Sequence, residues 1–409
     1  MSQHKHNPAK EIQDLQFFGE FGGVNPSISD AATYTFLHAN TMLDTFEGNV
    51  EGCYLYSRHT SPSNHYLGMA LAKMENTESA NVAGSGMGAI TPVILQLAHA
   101  GDHIVSSRTI YGGTYAFLKN WVPKFDIQTT FVDITDLEKI EAAIQPNTTM
   151  IYAETLSNPL LELADVEALS KIAKKHGVKL VIDNTFTPLI FSPANMGADV
   201  VIHSLTKFIN GTNDTVGGVI CGTNEFINEL KSVNDGSSML LGPVMDSLRS
   251  AQILKNMRTL PIRMMKHSEN AMYLAERLEK DGVKIKYPGL PSYAQKDLYD
   301  KMRNKDFGYG GMITLDLKTG EMATEFMEKL QDKNVGYLAV SLGFYKTLFN
   351  APGKGTSSEV PEEEQAKMGL SDGLIRMSIG LDYDIKDTYR KMKDTLEEIG
   401  FFKKSLQDN

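Results

Sequence analysis

The chain has 409 residues, of which 42% are hydrophobic and 22% charged, and a formal net charge of -10. That composition fits a globular protein of two domains, at most three, and the acidic balance, with no basic block to offset it, argues against a nucleic-acid partner. Two cysteines, Cys53 and Cys221, exclude a disulfide framework; no Cys/His spacing suggests a metal, and no apolar run approaches the roughly 18 residues that span a bilayer.

The start, "MSQHKHNPAKEIQD", carries no apolar core of a secretory signal, so a cytoplasmic location is expected. Residues 1–62 hold no sustained period and read as an extended arm. From there to about residue 260 the pattern alternates between strands and helices, which predicts a large α/β domain. Apolar or β-branched runs recur at 103–107, 129–134, 150–154, 179–184 and 199–204. Between two of them, "VEALSKIAKKHG" places Val166, Leu169, Ile172 and Ala173 on one helical face, with Asp165 as cap and Gly177 as stop. Near-continuous apolar strands joined by helices imply a mainly parallel sheet covered on both faces. Residues 261–409 read as a smaller α+β domain. It opens on a helix at about 262–280 and continues with strands at "GMITLDL", "YLAVSL" and "LIRMSIGL", a helix at "EMATEFMEKLQ" and a last helix at about 385–399. Residues 351–372 form a long polar segment, a length more common in functional loops than in plain connections.

Ligands of open α/β sheets bind beyond the carboxyl ends of the strands, so the residues that follow each strand are the place to search. Gly84-Ser85-Gly86-Met87-Gly88 follows the short run "ANVA" and opens a helix. Tyr111 with Gly112 and Gly113 follows the second strand, and Asn158 comes after "MIYAET". Asp183 ends "KLVID", and Ser204, Thr206 and Lys207 follow "DVVIH". Singly these are weak signals. A glycine turn is often only a turn, a strand-end aspartate a cap, and a lysine a snorkelling surface residue. One ligand would use them all. Pyridoxal 5'-phosphate offers a phosphate for Ser85, Gly86, Met87, Ser204 and Thr206 at a helix start, and a pyridine nitrogen for Asp183. Its flat ring would stack on Tyr111, its phenolic oxygen would bond Asn158, and its aldehyde would meet the amine of Lys207. A nicotinamide dinucleotide fits less well. The glycines are spaced G-x-G-x-G, not G-x-G-x-x-G, and no acidic strand end follows about 20 residues on.

The stretches "DVVIHSLTKFINGTNDTVGGVICG", "VIDNTFTPLIFSPANMGADVV", "YAETLSNPLLELAD", "SGMGAI", "YSRHTSPSN" and "LIRMSIGLD" together resemble the Cys/Met-metabolism family of pyridoxal-phosphate enzymes, from about residue 20 to the C-terminus. The resemblance implies fold type I, the aspartate-aminotransferase-like architecture, and a homotetramer built of two catalytic dimers. It also implies a role for each matching residue. Lys207 matches the lysine that carries the cofactor, Asp183 the partner of the pyridine nitrogen, and Tyr111 the stacking tyrosine that also moves a proton. Gly86, Met87, Ser204 and Thr206 match phosphate-binding positions. Tyr56 and Arg58 match a pair that reaches the phosphate of the neighbouring subunit, which would explain the arm. Arg376 matches the arginine that clamps the substrate carboxylate, and Ser341 lies near the same carboxylate in relatives.

Within the family, "IYGGTYAFL", "SMLLGPVMDS" and "FGYGGM" are most similar to methionine γ-lyases of the plant type. Many bacterial and protozoal lyases have cysteine two residues after the tyrosine, where this chain has Gly113. The activity so implied is γ-elimination from L-methionine and related sulfur amino acids, giving 2-oxobutanoate, ammonia and a thiol. The alternatives are γ-replacement, as in O-acylhomoserine sulfhydrylases and cystathionine γ-synthase, and cystathionine lysis. His103 reads as a strand-edge histidine, and Glu362, Glu363 and Glu364 as a solvated helix start.

Overall fold

Seven strands make the larger sheet: β1 (Ser79–Ala83), β2 (His103–Ser107), β3 (Gln128–Val132), β4 (Thr148–Glu154), β5 (Lys179–Asp183), β6 (Val200–Ser204) and β7 (Gly218–Gly222). They come from a computed structural model that describes residues 6–46, 50, 52–354 and 370–403. The strand order is β1-β7-β6-β5-β4-β2-β3. Neighbouring pairs among β2 to β6 are parallel, and β7 runs against both β6 and β1. The expectation of a mainly parallel sheet holds. Alternate residues feed two apolar cores, one on each face: Ile151, Ile182 and Val201 on one side, Tyr152, Val181 and Ile202 on the other. Burial on both faces explains why these strands read as continuous apolar runs. The helix Val166–His176 starts where the Asp165 side chain accepts from Ala168 N at 3.0 Å, and Gly177 ends it in a left-handed turn.

A second sheet lies C-terminal to this one, in the order β10-β11-β12-β9-β8. Its strands are β8 (Lys284–Lys286), β9 (Met312–Asp316), β10 (Gly336–Leu338), β11 (Thr347–Asn350) and β12 (Leu374–Ser378), all antiparallel except the β10–β11 pair. Leu274 of the helix Leu260–Lys280, Phe326 of Gly320–Asp332 and Met392 of Ile385–Glu398 share one core with Ile313 and Ile375 of this sheet.

Three details depart from the sequence expectations. The strand expected over "YLAVSL" stops at Leu338; after Ala339 N bonds Phe349 O at 3.2 Å, the chain leaves the sheet and carries Ser341 toward Lys207. The arm is not wholly extended. A helix runs from Pro8 to Asp14, capped by Asn7 Oδ1 on Ala9 N and Lys10 N, and buries Ile12 in the main core. Strands β7, β8 and β11 fall outside the predicted runs. Of the polar segment 351–372, residues 355–369, with the run Glu362 to Glu364, lie outside the described residues. Among the described residues, no helix is long and apolar enough to cross a membrane.

Candidate active site

The carboxyl ends of β1, β4, β5 and β6 open on one cavity of about 240 Å³. In β4 and β5, Glu154 pairs in register with Asp183, so two buried carboxyls stand side by side on its floor. Burial pushes both carboxyls up. The N–H and hydroxyl of Thr185 and the charge of His203 pull against that rise at Asp183, whose carboxylate accepts from Thr185 N at 3.0 Å. His203 in turn meets Glu75 at 2.6 Å, both fully buried.

Beyond β6 the chain turns tightly. Lys207 N donates to Ser204 O at 3.3 Å, Asn210 N to Leu205 O at 3.0 Å, and Gly211 N to Lys207 O at 2.8 Å. Arg263, from the helix Leu260–Lys280, fixes the same turn by donating to the carbonyls of Phe208 and Ile209. The backbone under Lys207 is therefore pinned from two sides, and its amine enters the cavity, where Nζ donates to Ser341 Oγ at 3.1 Å. Burial pushes this amine down to about 8, and the positive charge of Arg376 adds to the effect.

Facing it is the start of the helix Gly86–Leu97. Ser85 caps that helix, its hydroxyl accepting from Gly88 N at 2.9 Å, and Gly86 and Met87 line the cavity. A Cβ on Gly86 would stand 3.0 Å from both Cβ and Oγ of Ser204, so the bare glycine permits the close approach of helix start and strand end. Ser204 and Thr206 complete a concave edge of N–H and hydroxyl groups suited to an anion. Tyr111 also lines the cavity. Its ring lies over Gly113, where a Cβ would come within 2.6 Å of Cε1 and 3.0 Å of Cζ.

Arg376 arrives from β12 and is buried. Its Nη1 donates to Asn158 Oδ1 at 3.0 Å, and its Nη2 reaches Ser341 O at 3.4 Å. Burial pushes the guanidinium down to about 10, opposed by the charge of Glu154, so it stays cationic at neutral pH. Eleven of the residues singled out from sequence thus meet around one cavity: Ser85, Gly86, Met87, Tyr111, Asn158, Asp183, Ser204, Thr206, Lys207 and Arg376 line it, and Ser341 touches Lys207 and Arg376.

Tyr56 and Arg58 do not reach it. The Arg58 guanidinium lies 5.7 Å from the centre of the Tyr56 ring and donates to Met239 O at 3.2 Å, beside a separate cavity of about 220 Å³. Three contributions escaped the sequence reading. Thr185 accepts from Ser204 N at 2.8 Å, the apolar side chains of Val216, Val340 and Leu342 add to the cavity lining, and Glu154 accepts from the N–H groups of Tyr111 and Asn158. Glu154 carries the signal that marked Asp183, a carboxylate at the end of an apolar strand.

Residues 11–397 match the family model described as Cys/Met metabolism PLP-dependent enzyme. A methionine γ-lyase of Arabidopsis thaliana is 42% identical over 91% of this chain and 86% of its own length. An L-methionine γ-lyase of Porphyromonas gingivalis is 38% identical, over 93% of this chain and 94% of the relative. Among solved structures, a putative O-acetylhomoserine (thiol)-lyase of Campylobacter jejuni, with N'-pyridoxyl-lysine-5'-monophosphate, superposes with a TM-score of 0.88 at 29% identity, covering 96% of this chain and all of that one. On the length and identity of these matches, the chain belongs to the Cys/Met metabolism family of PLP-dependent enzymes.

Proposed function

We propose that this chain is a carbon–sulfur lyase that eliminates the γ-sulfur substituent of L-methionine and related sulfur amino acids as a thiol. The observation that carries the reading is Lys207: a half-buried amine pushed down to about 8, at the same rim as Asp183, the Gly86 helix start and Arg376. The set fits pyridoxal 5'-phosphate by its chemistry. It has an anion cradle that a Cβ at Gly86 would crowd, a buried carboxylate for a cationic ring nitrogen, an aromatic face and an amine. When bound, the cofactor supplies the electron sink that lets protons leave the substrate's α- and β-carbons.

The protein's own groups do the rest. Arg376 binds the α-carboxylate through its guanidinium fork, held in place by Asn158 Oδ1. Lys207 Nζ anchors the cofactor and, once free, takes the Cα proton. Tyr111 Oη gives a proton to the departing sulfur. Val216, Val340 and Leu342 offer an apolar wall to the thioether methyl and keep water from that end of the cavity. Methionine and water then yield 2-oxobutanoate, ammonia and methanethiol. Holoenzyme incubated with L-methionine alone should release these three in equal amounts. Thioether formation from O-acetylhomoserine and a thiol, without 2-oxobutanoate from methionine, would instead identify a γ-replacement enzyme.

Two further results are expected. Cofactor capture by the cofactor-free protein should quicken about tenfold per pH unit up to about pH 8 and level off above it, because only the neutral Lys207 amine attacks an aldehyde. Stopped-flow absorbance measures this, and a flat profile from pH 6 to 9 would exclude Lys207 as the capturing group. Gly113→Ala should lower kcat about tenfold while the melting temperature holds, since the added Cβ displaces the Tyr111 ring, not backbone. Steady-state kinetics beside thermal denaturation checks it.

The same reading assigns Tyr56 and Arg58 to the cofactor phosphate of a neighbouring subunit, in a tetramer of two catalytic dimers. Its support is the apolar arm: Phe18, Phe21 and Leu37 are almost fully exposed, and the helix Ala39–Phe46 buries no residue. Light scattering that finds a monomer would remove this assignment. The proposed compartment is the cytoplasm, in keeping with two free cysteines.

A further inference from the structure

Glu154 has no step in the chemistry just described, yet it is 6% exposed on the floor of the cavity. A carboxylate is costly to bury and persists where its bonds are needed. Both of its oxygens are engaged. Oε1 accepts from Tyr111 N at 2.7 Å and Oε2 from Asn158 N at 2.8 Å.

These two N–H groups belong to residues whose side chains line the same cavity. Tyr111 precedes the short helix Gly112–Ala116, and no side chain of its own caps that helix. Asn158 accepts from Arg376 Nη1 through Oδ1. An unbroken chain of hydrogen bonds therefore runs from Tyr111 through Glu154 and Asn158 to Arg376. Glu154 is the one member that anchors both Tyr111 and Asn158. The charged groups that face it are Asp183 from β5 and Arg376 from β12. Burial first, and Asp183 second, push the Glu154 carboxyl up to about 8, while the two N–H bonds and Arg376 favour its ionised form. A cationic ring nitrogen against Asp183 would remove that part of the rise and favour the ionised form, whose two oxygens both accept.

We propose that Glu154 is a positioning residue that fixes Tyr111 and Asn158 at a set distance from Arg376, so that the tyrosine acid and the carboxylate clamp act on the same bound substrate. The proposal rests on the lyase reading above and deepens it.

Glu154→Gln keeps the size but turns an NH₂ toward one of the two N–H donors. In the holoenzyme we expect kcat for methionine to fall about 10- to 100-fold. The visible circular dichroism of the bound cofactor should weaken relative to its absorbance, because the ring loses its fixed neighbours. Titration of the cofactor-free protein should show weaker cofactor binding. In a Tyr111→Phe background the acid that Glu154 places is already gone, so the loss from Glu154→Gln should shrink to about threefold, the part carried by Asn158 and Arg376.

Glu154→Asp keeps the charge but is one methylene too short to reach both N–H groups. It should be impaired like the glutamine variant, whereas a role of charge alone would be rescued by it. The proposal fails if the two losses multiply in full, if Glu154→Asp restores wild-type kcat, or if Glu154→Gln leaves the dichroism unchanged. If Glu154→Gln does not fold, Glu154→Asp with the same readouts decides. Wild-type protein that shows no cofactor absorption at all would instead overturn the underlying reading of the site.

Discussion

Lys207→Ala is expected to abolish turnover, lowering it by about 10⁴-fold or more, the upper end of what one positioned proton-transfer group contributes. Two functions are lost at once. In the proposed reading the amine both anchors the cofactor and takes the proton from the substrate's α-carbon. Its placement leaves little room for a substitute. Nζ is held by Ser341 Oγ at 3.1 Å, and the turn below it is closed by Gly211 N on Lys207 O and by Arg263. Arg376, the other cation of the cavity, is pushed down only to about 10, so it stays protonated and is no base near neutral pH. The visible absorption that marks covalently bound cofactor should vanish with turnover. Absorbance spectra and product assays on the same sample test both, and residual turnover within tenfold of wild type would remove Lys207 from its assigned role.

Lys207 and Asp183 could be found in the sequence because parallel strands bring their carboxyl ends to one rim. Once β5 and β6 are recognised, the residues that end them must share a site. Glu154 ends a strand in the same way. It went unread because its partners are the backbone N–H groups of Tyr111 and Asn158, which no residue pattern displays. Arg263 is hidden for a similar reason. Its target carbonyls lie about 55 residues away, and on a helical wheel it is one more polar position. The "YLAVSL" segment misled because period-two alternation continues past Leu338, while the ladder to β11 does not. Ser341 reaches Lys207 only because that strand ends early. The direction of β7 is likewise invisible to periodicity, since an apolar strand reads the same whichever way it runs. The helix Pro8–Asp14 had a readable signature, Asn7 as cap with proline in the first turn, but its seven residues are too few to show a period.

Asp183→Asn should separate cofactor attachment from catalysis. The bound cofactor's visible absorption is expected to persist, because Lys207 takes its depressed amine from burial and from Arg376, neither of which the substitution touches. Turnover should nevertheless fall by roughly 10²- to 10³-fold, about 3–4 kcal/mol, the range expected when one member of a buried charge pair loses its partner. In the proposed reading the carboxylate keeps the ring nitrogen protonated, and an unprotonated ring is a poor acceptor for the charge left behind when Cα loses its proton. Asparagine isolates that effect. Its carbonyl oxygen can still accept from Thr185 N, as the Asp183 carboxylate does at 3.0 Å, so the turn after β5 keeps its closure. The register of Glu154 with residue 183 is a backbone property and survives too. Spectra and kinetics of Asp183→Asn beside Lys207→Ala therefore give two distinct defects. Asp183→Asn turning over methionine within tenfold of wild type would show that the charge at β5 is not what the ring nitrogen requires.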